Sequence, residues 1–102
     1  GTQLTLEDTP PRIVDPPQDL VVAQGTKARL RCRVEGHPPP EVTWLKDGEV
    51  LGSPQPHLTF LPGGTLLFLP FLPPHQGVYL CRATNPLGVA TSQQVTLALA
   101  GE

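Results

Sequence analysis

Hydrophobic and polar residues alternate along several short segments of this chain, and turn residues separate the segments. The alternation is most regular at residues 26–34, where every second residue is apolar: Ala28, Leu30, Cys32 and Val34. The residues between them are cationic: Lys27, Arg29, Arg31 and Arg33. A period of two predicts a β-strand with one buried face. The 14 prolines and 10 glycines leave no stretch for a long amphipathic helix, so the pattern indicates an all-β fold.

Further short strands are predicted on both sides of this segment. Residues 12–14 and 20–23 form an edge strand that is interrupted at Pro16-Pro17, since proline cannot donate a hydrogen bond to a ladder. Val42 and Trp44 face inward on the strand that follows. Two hairpins complete the set, and they join residues 57–61 to 65–69 and 78–84 to 89–99. The side chains expected in the core include Leu30, Trp44, Leu66, Phe68 and Tyr79.

The two cysteines, Cys32 and Cys81, lie 49 positions apart. This spacing fits no CxxC metal or redox motif, and no further cysteine could complete a zinc site. We therefore expect a disulfide between the two sheets, covered by Trp44, with two separate buried thiols as the alternative. In the chain-entropy model such a bond stabilises the fold by about 4 kcal/mol. It persists only in an oxidising compartment.

The order Cys, Trp, Cys, among strands that alternate with turns every ten or so residues, predicts an immunoglobulin-like sandwich. Tyr79 precedes the second cysteine by two residues, so its hydroxyl should bond to the chain near residue 75 and form a tyrosine corner. A chain of 102 residues can enclose one core. We expect a leader or linker at residues 1–10, the domain at 11–100 and a tail at 101–102.

Charge and hydropathy restrict the class of protein further. A net charge of −2 does not suggest a partner made of nucleic acid. The sequence has no signal peptide and no apolar run long enough to span a membrane. We therefore expect the secretory signal and any anchor to lie elsewhere in a longer, single-pass protein, with this domain outside the cell.

Several segments resemble the I-set of immunoglobulin domains. They are Gly36-x-Pro38-x-Pro40, Trp44-Leu45-Lys46-Asp47-Gly48, Gly64-Thr65-Leu66, Gly77-Val78-Tyr79-Leu80-Cys81 and Ala83-Thr84-Asn85-Pro86-Leu87-Gly88. Three further segments look similar to the first domain of roundabout-type guidance receptors: Pro10-Pro11-Arg12-Ile13-Val14, Asp19-Leu20-x-Val22 and Leu61-Pro62-x-Gly64-x-Leu66. Contactins, sidekicks and receptor tyrosine phosphatases have similar domains. The resemblance implies neighbouring immunoglobulin or fibronectin III domains in the same chain.

The sequence departs from the I-set pattern at His57 and His75. The family usually has an Arg and an Asp at these positions, and the two form an ion pair. Two imidazoles cannot form that pair, and they repel each other when both are protonated. We therefore expect stability to fall as the pH drops through about 6.5. The alternative is that both histidines are exposed and independent.

No group of residues indicates catalysis. The chain has no Ser beside a plausible base in a turn motif, no paired carboxylates in an apolar setting, no phosphate loop and no cluster of metal ligands. We expect no enzyme activity, no cofactor and no metal.

The most unusual surface feature is a basic stripe that contains four of the seven cationic residues: Lys27, Arg29, Arg31 and Arg33. Successive side chains on one face of a strand are about 6.8 Å apart, which is comparable to the sulfate spacing of an extended glycosaminoglycan. The arginine fork also suits sulfate. Roundabout receptors bind heparan sulfate and Slit proteins, so the resemblance favours such ligands. The alternative is a solvated face, partly paired with acids such as Glu35 or Asp19.

A second candidate surface, the leucine face, lies on the other sheet and comprises Thr43, Leu45, Leu80 and Arg82. Its two leucines should point outward, and clustered outward leucines on a flat sheet can bind a protein. The loops at 36–40 and 50–56 are further candidate ligand sites.

These surfaces predict a recognition module of an adhesion or axon-guidance receptor, with a protein ligand and heparan sulfate as its partners. Two alternatives stay open: a structural spacer in a multidomain ectodomain, and the ligand-binding domain of a receptor tyrosine kinase.

Overall fold

The computed structural model describes residues 7–53 and 55–101 of the chain. In these two ranges the backbone forms eleven β-strands and one short 3₁₀ helix, Pro73–His75. In chain order the strands are β1 (Thr9–Asp15), β2 (Leu20–Val22), β3 (Ala28–Leu30), β4 (Arg33–His37), β5 (Glu41–Lys46), β6 (Glu49–Val50), β7 (Leu58–Leu61), β8 (Thr65–Phe68), β9 (Gly77–Asn85), β10 (Gly88–Thr91) and β11 (Val95–Leu99).

The strands form two layers that enclose the core. In the first layer β3 pairs with β8, β8 pairs with β7, and β4 pairs with β1. Because β3 and β4 follow one another along the chain, they join these strands into one layer. In the second layer the order is β2-β11-β9-β5-β6, and β10 also pairs with β9. This arrangement confirms the predicted all-β, immunoglobulin-like sandwich. All the pairs are antiparallel except β2 with β11, which is parallel.

The first predicted strand is interrupted at Pro16-Pro17, as expected, and the interruption moves the chain from one layer to the other. β1 pairs with β4, whereas β2 pairs with β11. Proline cannot donate to a ladder, so it suits this change of sheet. β1 begins at Thr9, inside the segment predicted as a leader. There the Thr9 hydroxyl accepts a hydrogen bond from the His37 amide at 3.1 Å.

The continuous strand predicted at residues 26–34 is wrong, because it is two strands with different partners. The ladder between β3 and β8 ends at the pair Leu30–Leu66. From Arg33 onward the chain pairs with β1 instead, and the two residues between are not in a strand. The alternation of burial nevertheless continues, with Cys32 buried between exposed arginines.

A disulfide joins the layers through the middle of the core and confirms the predicted pairing. It links Cys32 to Cys81, whose Cα atoms are 6.4 Å apart. Trp44 lies directly opposite Cys81 in the β5–β9 ladder and is 4% exposed. The indole N–H of Trp44 donates to the Gly64 carbonyl at 2.6 Å, which adds a second link between the layers. The other buried hydrophobic residues around this bond are Val22, Ala28, Leu30, Leu58, Leu66, Phe68, Phe71, Tyr79, Val95 and Leu97.

The expected tyrosine corner is present at the end of the core that holds the 3₁₀ helix. The Tyr79 hydroxyl donates to the His75 carbonyl at 2.6 Å. Burial raises the pKa of the Tyr79 hydroxyl well above its ordinary value, so the group stays a donor. Phe71 and His75 complete this end of the core, with ring centroids 5.2 Å from Phe68 in each case. The hydrophobic pattern of the sequence predicted neither side chain in the core.

Candidate functional site

The basic stripe runs along the first layer, from just before β3 to the start of β4. All four of its side chains are exposed: Lys27, Arg29, Arg31 and Arg33. In the ladders, Arg29 lies opposite Leu67 and Arg33 lies opposite Asp15. The stripe is therefore divided between two ladders, because the strand changes partner at residues 31–32.

Among residues 7–53 and 55–101, no stripe cation forms an ion pair. Glu35 and Asp19, the two acids predicted as partners of the stripe, both have other contacts. Glu35 pairs with Arg12 at 2.8 Å, and Asp19 accepts a hydrogen bond from the Thr96 amide at 2.8 Å. Asp15 is the carboxylate that lies closest in register, and it borders a shallow depression together with Arg29 and Arg31. The stripe is thus a cationic surface whose own cations are not paired with the acids nearby in the described part of the chain.

The leucine face is assembled by the β5–β9 ladder as two directly opposed pairs. Thr43 lies opposite Arg82, and Leu45 lies opposite Leu80. The prediction of an exposed Leu45 is wrong, since only 8% of this residue is exposed. The reason is its position on a central strand, where Leu80 flanks it on one side and Val50 of β6 on the other. Thr43, Leu80 and Arg82 are half-buried, whereas Val50 is 57% exposed.

His75 has a different environment from the one predicted. It is 6% exposed and packs against Phe68 and Phe71, so the alternative of two exposed, independent histidines is wrong. Its Nδ1 accepts a hydrogen bond from the Leu72 amide at 2.9 Å. Burial is the first cause that lowers the pKa of the His75 imidazole. The exposed His57 lowers it further, but repulsion between the two rings is a secondary cause.

Asn85 holds the loop at residues 36–40 in place, a role that the sequence analysis missed. Its side-chain amide donates to the Pro38 carbonyl at 3.0 Å and to the Thr9 carbonyl at 2.8 Å. Its side-chain oxygen accepts from the Leu87 amide at 2.9 Å. The available signal was an asparagine at the start of an Asn-Pro-Leu-Gly turn. One residue therefore connects three segments at this end of the sandwich.

Within the described part of the chain, no group of three His, Cys, Asp or Glu side chains could hold a metal ion. None of the helical turns at residues 7–53 and 55–101 has the length and apolarity that crossing a membrane requires.

The two layers, the bridging disulfide, the tryptophan against it and the tyrosine corner define an immunoglobulin-like domain. A family model described as immunoglobulin domain matches residues 10–85. The chain belongs to the immunoglobulin domain family.

Known relatives agree with the motifs in the sequence. Roundabout homolog 1 from Mus musculus is 42% identical over 109 residues, which cover 98% of this chain and 7% of that protein. The chain thus spans a small part of the length of this relative. A solved structure of chimeric titin is 34% identical with a TM-score of 0.83, covering 94% of this chain and 100% of that one. Sidekick-1 immunoglobulin domains 1–5 are 28% identical with a TM-score of 0.81, covering 93% of this chain and 20% of that one. The resemblance to roundabout domains is confirmed.

Proposed function

We propose that this domain is an extracellular recognition module of a cell-surface adhesion or guidance receptor. It binds a protein ligand, and its basic stripe binds heparan sulfate. The observation that carries the proposal is the stripe itself, in which four exposed cations form no ion pair among the described residues. A polyanion that binds there displaces only water and counterions, and no internal ion pair has to break. The similarity to a roundabout homolog over 98% of the chain supports the same reading.

The leucine face is the proposed site for the protein ligand. Leu80 is half-buried, and Val50 extends the apolar surface beyond Leu45 with 57% of its own area exposed. Arg82 and Thr43 border this area with polar groups. An apolar centre with a polar rim that contains arginine is the usual composition of a protein interface.

Heparin affinity chromatography tests the glycan site. The variant Arg29→Ala plus Arg31→Ala should elute from a heparin column at lower salt than the original chain. The matched control is Arg12→Ala plus Lys46→Ala, which also removes two positive charges, but from outside the stripe. It should elute close to the original chain. Equal retention of the stripe variant and the original chain would remove the basis for the glycan site.

A binding screen against cell-surface proteins tests the protein site. Val50→Glu places a charge on the edge of the leucine face and should abolish capture of any partner that uses it. Val89→Glu is the matched control, since Val89 is 61% exposed on β10 and lies outside the face. A partner that both variants bind equally well would show that ligand recognition uses another surface.

A structural spacer is the second candidate function, and the likeness to titin favours it. A spacer contacts only the neighbouring domains of its own chain. If the domain is a spacer, it should capture no protein in the screen, and the Arg29→Ala plus Arg31→Ala variant should elute from the heparin column together with the two-charge control. The screen therefore separates the two candidates directly.

A further inference from the structure

A cleft opens in the first layer where the sheet divides. The ladder between β3 and β8 ends at Leu30–Leu66, and the chain then turns towards β1. Residues 31–34 border the cleft on one side, the β7–β8 hairpin borders it on the other, and β5 forms its floor. Its volume is about 770 Å³, within the range of roughly 300–1,000 Å³ that is typical of small-molecule sites.

The walls of the cleft are about half polar and half apolar, and the apolar half includes two aromatic side chains. Phe60, on the edge strand β7, is 37% exposed, and Trp44 lies deeper. The indole N–H of Trp44 already donates to the Gly64 carbonyl, so Trp44 offers only apolar ring surface to an occupant. Leu51 and Leu61 add aliphatic surface. Flat rings suit such a wall because aromatic groups stack or meet edge to face.

The charges around the cleft favour an anion. Its charged lining residues are Arg31, Arg33 and Glu41. Neither arginine forms an ion pair among the described residues, so both guanidinium groups are available. Two adjacent forks can hold a carboxylate or sulfonate with several charge-assisted hydrogen bonds.

We propose that this cleft binds a small aromatic anion, with its rings against Phe60 and Trp44 and its acidic group held by Arg31 and Arg33. This site differs from the proposed glycan site, which is a polar surface that also needs Lys27 and Arg29. A sulfated glycan has no apolar body to place between the layers. The two proposals share Arg31 and Arg33, but only the cleft needs Phe60 and only the glycan site needs Lys27 and Arg29, so they can fail separately.

Two related dyes test the proposal on the folded chain. Anilinonaphthalene sulfonate carries the anionic group, and phenylnaphthylamine has the same ring system without it. Fluorescence titration should show binding of both, with the sulfonate about tenfold tighter. Arg31→Ala plus Arg33→Ala should weaken only the sulfonate, by about the same factor. Phe60→Ser should weaken both dyes, because it removes part of the shared apolar wall.

The matched control is Lys27→Ala plus Arg29→Ala, which removes two charges from the same segment without altering the cleft lining. It should leave both affinities unchanged. A thermal melt of each variant confirms that dye binding reports the native state and not a partly unfolded one. Three results would overturn the proposal: no binding to the folded chain, equal loss of sulfonate binding in the two double variants, or unchanged binding of both dyes to Phe60→Ser.

Discussion

Replacing His75 with asparagine should make the stability of the domain less dependent on pH. In the folded chain the Nδ1 atom of His75 accepts the Leu72 amide hydrogen, so a proton can be added there only if this bond breaks. Burial lowers the pKa of the imidazole most; the hydrogen bond to the Pro56 carbonyl opposes this, and electrostatic interactions with His57 and Lys46 lower the pKa further. In the unfolded chain the imidazole has its ordinary pKa of about 6.5.

The sign and size of the effect follow from these facts. Well above pH 6.5 the His75 imidazole is neutral in both the folded and the unfolded chain, so its titration takes nothing from the stability. As the pH falls below about 6.5, the unfolded chain takes up a proton that the folded chain does not, so stability is lost until the pH passes the lowered folded pKa. The loss between about pH 7.5 and pH 5.5 is at most about 1.4 kcal/mol for one proton.

Urea unfolding across this pH range measures the effect. Asparagine has an oxygen that can accept the Leu72 amide hydrogen, and it does not titrate. His75→Asn loses contact with Phe68 and Phe71, so this variant should be less stable at every pH. The quantity to compare is therefore the slope of the free energy of unfolding against pH, not the free energy itself. His57→Asn is the control, and it should keep most of the slope because the repulsion is the lesser cause. If His75→Asn and the original chain lose stability equally steeply, the reasoning is refuted.

Three further predictions concern stability and can be measured by thermal or urea unfolding. Gly63 and Gly64 have φ angles of 83° and 88°, but only a Cβ at Gly64 would meet Val42, at 2.9 Å. Gly64→Ala should therefore cost clearly more than the roughly 1–2 kcal/mol expected for Gly63→Ala, and equal costs would contradict the contact. Tyr79→Phe leaves the buried His75 carbonyl without its donor and should cost about 1–3 kcal/mol, whereas an unchanged midpoint would mean that the corner adds nothing. Cys32→Ala plus Cys81→Ala should cost about 4 kcal/mol, and reduction of the original chain should match it.

Much of the fold could be predicted because the relevant signals are local. Alternation with a period of two marks each strand, and Asp47-Gly48 marks a tight turn whose residues both have positive φ. The tyrosine corner and the disulfide follow from the spacing of Tyr79 and the cysteines within the known sandwich pattern.

The parts that were predicted wrongly depend on partners that are distant in sequence. The segment at residues 26–34 pairs first with β8 and then with β1. The alternation of hydrophobic and polar residues contains no information about which strand a segment will pair with. Leu45 is covered by Leu80 and Val50, which reach it only through two different ladders. His75 looks like a surface residue in the sequence, and only packing against Phe68 shows that it belongs to the core.

By itself, the sequence determined which side of each strand faces inward and where the chain turns. These properties depend on backbone geometry and on residues within a few positions of one another. Only the tertiary structure decided which cations stay unpaired, that the first layer divides into a cleft beside Arg31 and Arg33, and that a histidine is buried. Such properties depend on the distances between segments far apart in the chain, and these distances exist only after the two layers have packed together.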